Sequence, residues 1–127
     1  MEPMNYCDGL AKIIGGKSKF DNGICMITVD RKDISITIGG RPFAVSHMFE
    51  MQSPDGSGNY LITGEIALLE NEVPYVVSSL SNANIIVSSL HSHWLYDSPK
   101  LIYVHLVSIM NPEVFITKMA QILKIRP

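Results

Sequence analysis

Apolar positions change their period several times along the chain, and each change predicts an element. Tyr6, Leu10, Ile13 and Ile14 recur at helical spacing before Gly15-Gly16, the stop that helices favour, so a short helix is predicted there. The β-branched runs Ile24 to Val29 and Ile34 to Ile38, separated by the polar turn Asp30-Arg31-Lys32-Asp33, predict a hairpin. After Gly39-Gly40-Arg41-Pro42 the run Phe43 to Met51 alternates as a strand, and Ser53 to Asn59 is the clearest loop. Tyr60 to Leu68 reads as a buried strand interrupted by Gly64. Asn71 is placed to cap a helix carrying Val73, Val76, Val77 and Leu80 on one face, with Pro74 tolerated in its first turn. Ile85 to His93 and Leu101 to Ser108 predict two strands around a loop with Asp97-Ser98-Pro99 as its turn chemistry. Asn111 and Pro112 open a last helix, whose apolar face holds Val114, Phe115, Met119, Ile122 and Leu123.

Together these predict an α+β fold, a mostly antiparallel sheet with helices packed on one face and a β-α-β-β-α C-terminal half. A chain of 127 residues is expected to form a single domain over residues 1–127. Its 46% hydrophobic and 17% charged content suits a packed globule rather than a disordered chain. A net charge of −2 with no Lys/Arg run argues against nucleic acid as a partner. No stretch approaches the roughly 18 consecutive apolar residues of a membrane helix, and the N-terminus shows no signal-like pattern, so a cytoplasmic location is expected. Cys7 and Cys25, outside any C-x-x-C spacing, are then expected to stay reduced, as structural or incidental thiols. A sheet face or edge left uncovered by helices would allow a homodimer.

Candidate chemistry centres on the predicted C-terminal hairpin. Side chains two apart on a strand share a face, so His91 and His93 point the same way. If His93 pairs with Tyr103, antiparallel register sets His105 opposite His91, and three imidazoles converge. Ile86, Leu90, Ile102, Val104 and Leu106 would then occupy the other face, under the helices. Imidazole is the commonest metal-binding side chain near neutral pH, and a set of three with an open position suits a divalent transition metal such as zinc. Glu65 is the candidate fourth ligand or general base, and Trp94 and Tyr103 are candidate substrate-binding walls. The bland alternatives are a polar sheet surface for the histidines, a solvated carboxylate for Glu65, and core or rim aromatics for Trp94 and Tyr103. His47 stands alone and reads as a non-ligand; Asp97 reads as a turn-former. No phosphate-binding glycine loop, G-x-S-x-G elbow or activated cysteine is present.

At Val29-Asp30-Arg31-Lys32-Asp33-Ile34, at Gly64-Glu65 through Val73, at Leu90-His91-Ser92-His93-Trp94 and at Val104-His105, the chain resembles the LppY/LpqO family, a bacterial domain of undefined function. The most specific part is His-x-His, a short loop with Asp97 and Pro99, and an apolar strand ending in His105. The resemblance implies a carboxylate at Glu65, where Asp is common. It sets a tryptophan where this chain has His47, which counts against His47 as a shared ligand. Many relatives look exported, sometimes with two copies of the domain, and the resemblance supplies no reaction. Two functions follow from the residues: a metal-binding protein or metal-dependent enzyme, or a non-catalytic module for a small ligand or partner protein.

Overall fold

A computed structural model describes residues 3–124. The first helix, α1 (Pro3–Ile14), stops where Gly15 takes a φ of 74°, a left-handed value that suits glycine. There follows a hairpin that the apolar pattern does not predict, β1 (Lys17–Asp21) with β2 (Ile24–Asp30). Its turn is Asn22-Gly23, with φ of 52° and 77°, the residue pair that tight hairpins favour. The chain continues through β3 (Ile36–Ile38), β4 (Arg41–Phe43), β5 (Ser46–Gln52) and β6 (Tyr60–Leu69). A 3₁₀ turn (Glu70–Glu72) leads into α2 (Val73–Asn82), and β7 (Ile86–His91), β8 (Asp97–Ser98), β9 (Leu101–Met110) and α3 (Pro112–Leu123) complete the fold. Asn111 caps α3 as expected, its side chain accepting from the Val114 N–H at 3.1 Å.

Six strands form one antiparallel sheet in the order β1-β2-β5-β6-β9-β7. Residues alternate across it. Phe49, Ile62, Ile66, Val104 and Leu106 face the helices and pack with Ile14, Leu80, Phe115 and Met119 into the main core. Gly64 is required by that packing, because a Cβ there would lie 2.8 Å from Leu106 Cδ1 and 2.9 Å from Phe49 Cδ1. The expectation of reduced thiols is corrected: Cys7 and Cys25 form a disulfide, with Cα atoms 5.6 Å apart and 18 positions separating them in sequence. Helical spacing sets Cys7 on the same buried face as Leu10 and Ile14, and Cys25 lies on the helix-facing side of β2, so the sulfurs meet inside the core.

The expected hairpin of Ile24–Val29 with Ile34–Ile38 does not form. β2 pairs instead with β1 and β5, while β3 pairs with β4 and β8 in a separate three-stranded sheet. The long strand expected from Phe43 to Met51 is accordingly divided between β4 and β5. Arg31 accounts for the break. Its Nη1 donates to Glu72 Oε1 at 2.7 Å and to the Ala67 carbonyl at 3.0 Å, and its Nη2 reaches Asp33 at 2.8 Å and Glu72 Oε2 at 3.0 Å. The chain after β2 is thereby turned away from its own strand. Glu72 also accepts the Leu69 N–H at 2.8 Å, so Glu72 anchors the start of α2, and Asn71 lies within the 3₁₀ turn rather than capping the helix.

The small sheet covers one end of the large sheet's helix-free face, where Ile36, Val45, Ala67, Leu101 and Tyr103 make a second core. The rest of that face stays open. Arg31→Ala would leave the Ala67 carbonyl without its donor and the partly buried Glu72 carboxylate without its cation, while Asp33 is already exposed, so unfolding free energy should fall by roughly 1 to 3 kcal/mol in urea denaturation. The double variant Cys7→Ala/Cys25→Ala should lose roughly 3 kcal/mol for a loop of this length. A loss under about 1 kcal/mol in either would show that the link contributes little.

Candidate metal centre

The strand order β6-β9-β7 brings three registers side by side: Glu65 lies opposite His105, His105 opposite Ser89, and His91 opposite Tyr103. The expected pairing of His91 with His105 and His93 with Tyr103 is therefore corrected by two positions. β7 ends at His91, and His93 lies beyond the strand. The loop is longer than expected because Asp97 and Ser98 pair with Ile38 and Thr37 in the small sheet. Asp97 pins the turn, accepting the Leu101 N–H at 3.0 Å and Lys100 Nζ at 2.9 Å. Burial alone would raise the Asp97 pKa, but these donors hold it below the ordinary carboxylate value.

An even shift leaves the faces unchanged, so His91, Tyr103 and His105 still share the helix-free side. His93 folds back onto that side, its ring 4.1 Å from Tyr103 and within 10° of parallel. An irregularity between Val87 and Ser89 changes the phase of the strand. Ile86 therefore pairs with Val107 on the histidine face and is 64% exposed, while Leu90 pairs with Val104 but stays half-exposed at the sheet edge. Neither lies under the helices as the alternation predicts.

His91, His93 and His105 each offer a ring nitrogen, and these atoms lie within 4.8 Å of one another. The three rings form a triangle: His91 is stacked against His93 at 4.7 Å and against His105 at 5.0 Å between centroids, and His93 and His105 lie 6.0 Å apart. Tetrahedral metal–nitrogen bonds of about 2.0 Å place ligand nitrogens roughly 3.3 Å apart, so the nitrogens must close by up to about 1.5 Å and the rings must turn toward a common point. His91 and His93 are exposed and have room to rotate. The donor set fits a first-row divalent ion.

Glu65 lies on the same face, its Oε2 3.3 Å from His105 Nε2. It could hold that imidazole in one tautomer, the usual office of a carboxylate behind a metal-ligating histidine. A shallow cavity of about 210 Å³ adjoins the pair, walled by Met48, Glu50, Thr63 and Gly64. Tyr103 is buried and accepts from Trp94 Nε1 at 3.2 Å, and Trp94 packs edge-on against Phe43 at 5.7 Å. These two aromatics back the histidines and tie the loop to the small sheet. Beyond them Tyr96, a rim aromatic or substrate wall on the sequence alone, stands 81% exposed beside Leu95 at 74%, a residue the sequence did not single out.

A family model described as Domain of Unknown Function (DUF1259) matches residues 8–125, nearly the whole chain. No curated protein and no solved structure matches.

His47 stands apart from this cluster, as expected, but it is structural rather than incidental. The β5–β6 ladder runs only from Met48 opposite Glu65 to Gln52 opposite Leu61. Past its end the His47 ring, 2% exposed, takes over the ladder's role, and its Nδ1 accepts the Ala67 N–H at 3.1 Å. Burial first, and then the Arg31 cation, push its pKa down to about 4, against the pull of Asp33 and Glu72. In the unfolded chain the same ring titrates near 6.5, so between about 4 and 6.5 the unfolded state binds more protons. Stability is complete above about 6.5 and should fall by up to about 3 kcal/mol as pH drops to about 4. Urea denaturation of the parent and of His47→Gln at pH 7 and pH 4.5 checks this. The variant should be weaker at pH 7 and lose less on acidification, and equal losses would remove His47 as the cause.

Proposed function

The chain belongs to this family of unknown function, and we propose that the domain binds one divalent transition metal, such as zinc, through His91, His93 and His105. The family is taken to be the LppY/LpqO group that the His-x-His and Glu65 segments resemble. One observation carries the reading: three imidazole nitrogens on one sheet face lie within 4.8 Å of one another. A carboxylate at 3.3 Å from the third supports it.

With three protein ligands the ion would keep an open position, and when bound it would supply Lewis acidity and a more acidic water. The chain's own residues supply the rest. Glu65 orients His105 or, released from it, accepts a proton at its carboxylate. Tyr103 and Trp94 form the wall on one side, and the cavity beside Glu65 and Thr63 is the place for a substrate group. A second reading is a non-catalytic module for a small ligand or a protein, and the exposed Leu95 and Tyr96 beside the histidines favour it. The buried Cys7–Cys25 disulfide favours an oxidising compartment over the cytoplasm.

Element analysis of protein made without a histidine tag should find about one equivalent of metal. His91→Ala and His105→Ala should each lose most of it, whereas Glu65→Gln should keep it with roughly 10- to 100-fold weaker affinity. Retention should decline on acidification, because protons compete with the metal for imidazole nitrogens. Absence of metal from the parent after growth with added zinc, manganese and iron would leave the binding-module reading in its place.

A further inference from the structure

On the other side of the sheet from the histidine cluster, the His47 ring is buried, and one of its two nitrogens is bonded to the backbone. Ala67 N–H donates to Nδ1, so in the neutral ring the proton sits on Nε2. Among the described residues that N–H donates to no partner. The same ring lines two adjoining cavities, of about 390 Å³ and about 150 Å³, that also share Arg31, Leu123 and Lys124. The larger is within the size range of small-molecule sites.

The two cavities differ in character. Lys17, Lys32 and Lys124 line the larger, together with Asp30 and Asp33. Those carboxylates are already engaged: Asp30 accepts from Ser46 at 2.8 Å and lies 3.7 Å from Lys17, and Asp33 is held by Arg31 at 2.8 Å. Lys32 and Lys124 have no carboxylate partner among the described residues, although Lys124 lies over the Tyr75 ring at 5.4 Å. The surplus charge is positive, on a chain whose net charge is −2. The smaller cavity is walled by Leu68, Val76, Ile122 and Leu123, together with Tyr75 and the Glu72 carboxylate, which Arg31 holds at 2.7 Å. The His47 ring, two ammonium groups without a carboxylate partner among the described residues and an apolar annex share one cleft.

We propose that this cleft is a second binding site, for a small organic anion. A carboxylate accepts the His47 Nε2–H and faces Lys32 and Lys124, and its apolar body lies against Leu68, Val76 and Ile122. Metal is not the natural occupant, because Nδ1 is already bonded to Ala67 and the remaining nitrogen carries a proton. The site is independent of the histidine cluster and stands whether or not that cluster binds metal.

Benzoate titrated into the full chain at pH 7, followed by ¹⁵N NMR of the imidazoles, tests the proposal. The His47 Nε2 resonance should shift with saturation while those of His91, His93 and His105 stay in place. Benzamide, of the same shape but uncharged, should produce no saturable shift. Lys32→Glu/Lys124→Glu should weaken benzoate binding about tenfold or more, since two charges near the ligand are reversed. A His47 signal indifferent to benzoate, an equal response to benzamide, or unchanged affinity in the double variant would each overturn the proposal.

Discussion

All five N–H donors of Arg31 are in use, and the architecture depends on that saturation. Two go to Glu72, two to Asp33 and one to the Ala67 carbonyl, from a guanidinium only 8% exposed. A planar fork can meet two carboxylates and a carbonyl in this way; an ammonium group could not. The bonds join the end of β2, the end of β6 and the entrance to α2, segments 36 and 41 positions away in sequence. Because Arg31 takes Ala67 by its C=O and His47 takes it by its N–H, the gap where β5 leaves β6 is closed by side chains. The strand pair can separate there without orphaning a backbone group, and the small sheet fits against the helix-free face.

Helices and long strands were legible because their period and caps are local. Asn111 with Pro112, the glycines after Ile14 and the alternation from Tyr60 announce themselves within a few residues. Departures arose where a distant partner decides. Nothing near Asp30 says that Arg31 will seek Glu72 rather than turn a hairpin, and nothing near Cys7 says that Cys25 lies against it. Asn22-Gly23 is the exception, a turn signal in plain view whose flanking strand is too polar to register as an apolar run.

For the histidines, parity was legible and register was not. Which face a strand residue takes depends only on odd or even position, so His91 and His105 share a side despite a pairing two positions from the simple one. Register depends on what the loop does, and Asp97 and Ser98 are held by β3, sixty residues earlier in the chain. The bulge beside Ser88 then reverses parity for Ile86 alone among the residues assigned to the apolar face. Glu65 required the strand order itself, since β6 and β9 must be neighbours before its carboxylate can meet His105.

β7 is an edge strand of the large sheet, hydrogen-bonded to β9 alone among the described strands and covered in part by α2. An edge strand opens at lower free energy than an interior one, so the hinge line of the site runs between β7, which carries His91, and β9, which carries His105. Any ligand bridging His91 to His105 acts as a cross-link over that hinge line. Its affinity is reduced by the work of ordering the edge, and its occupancy protects the edge from proteases and from pairing with strands of other chains.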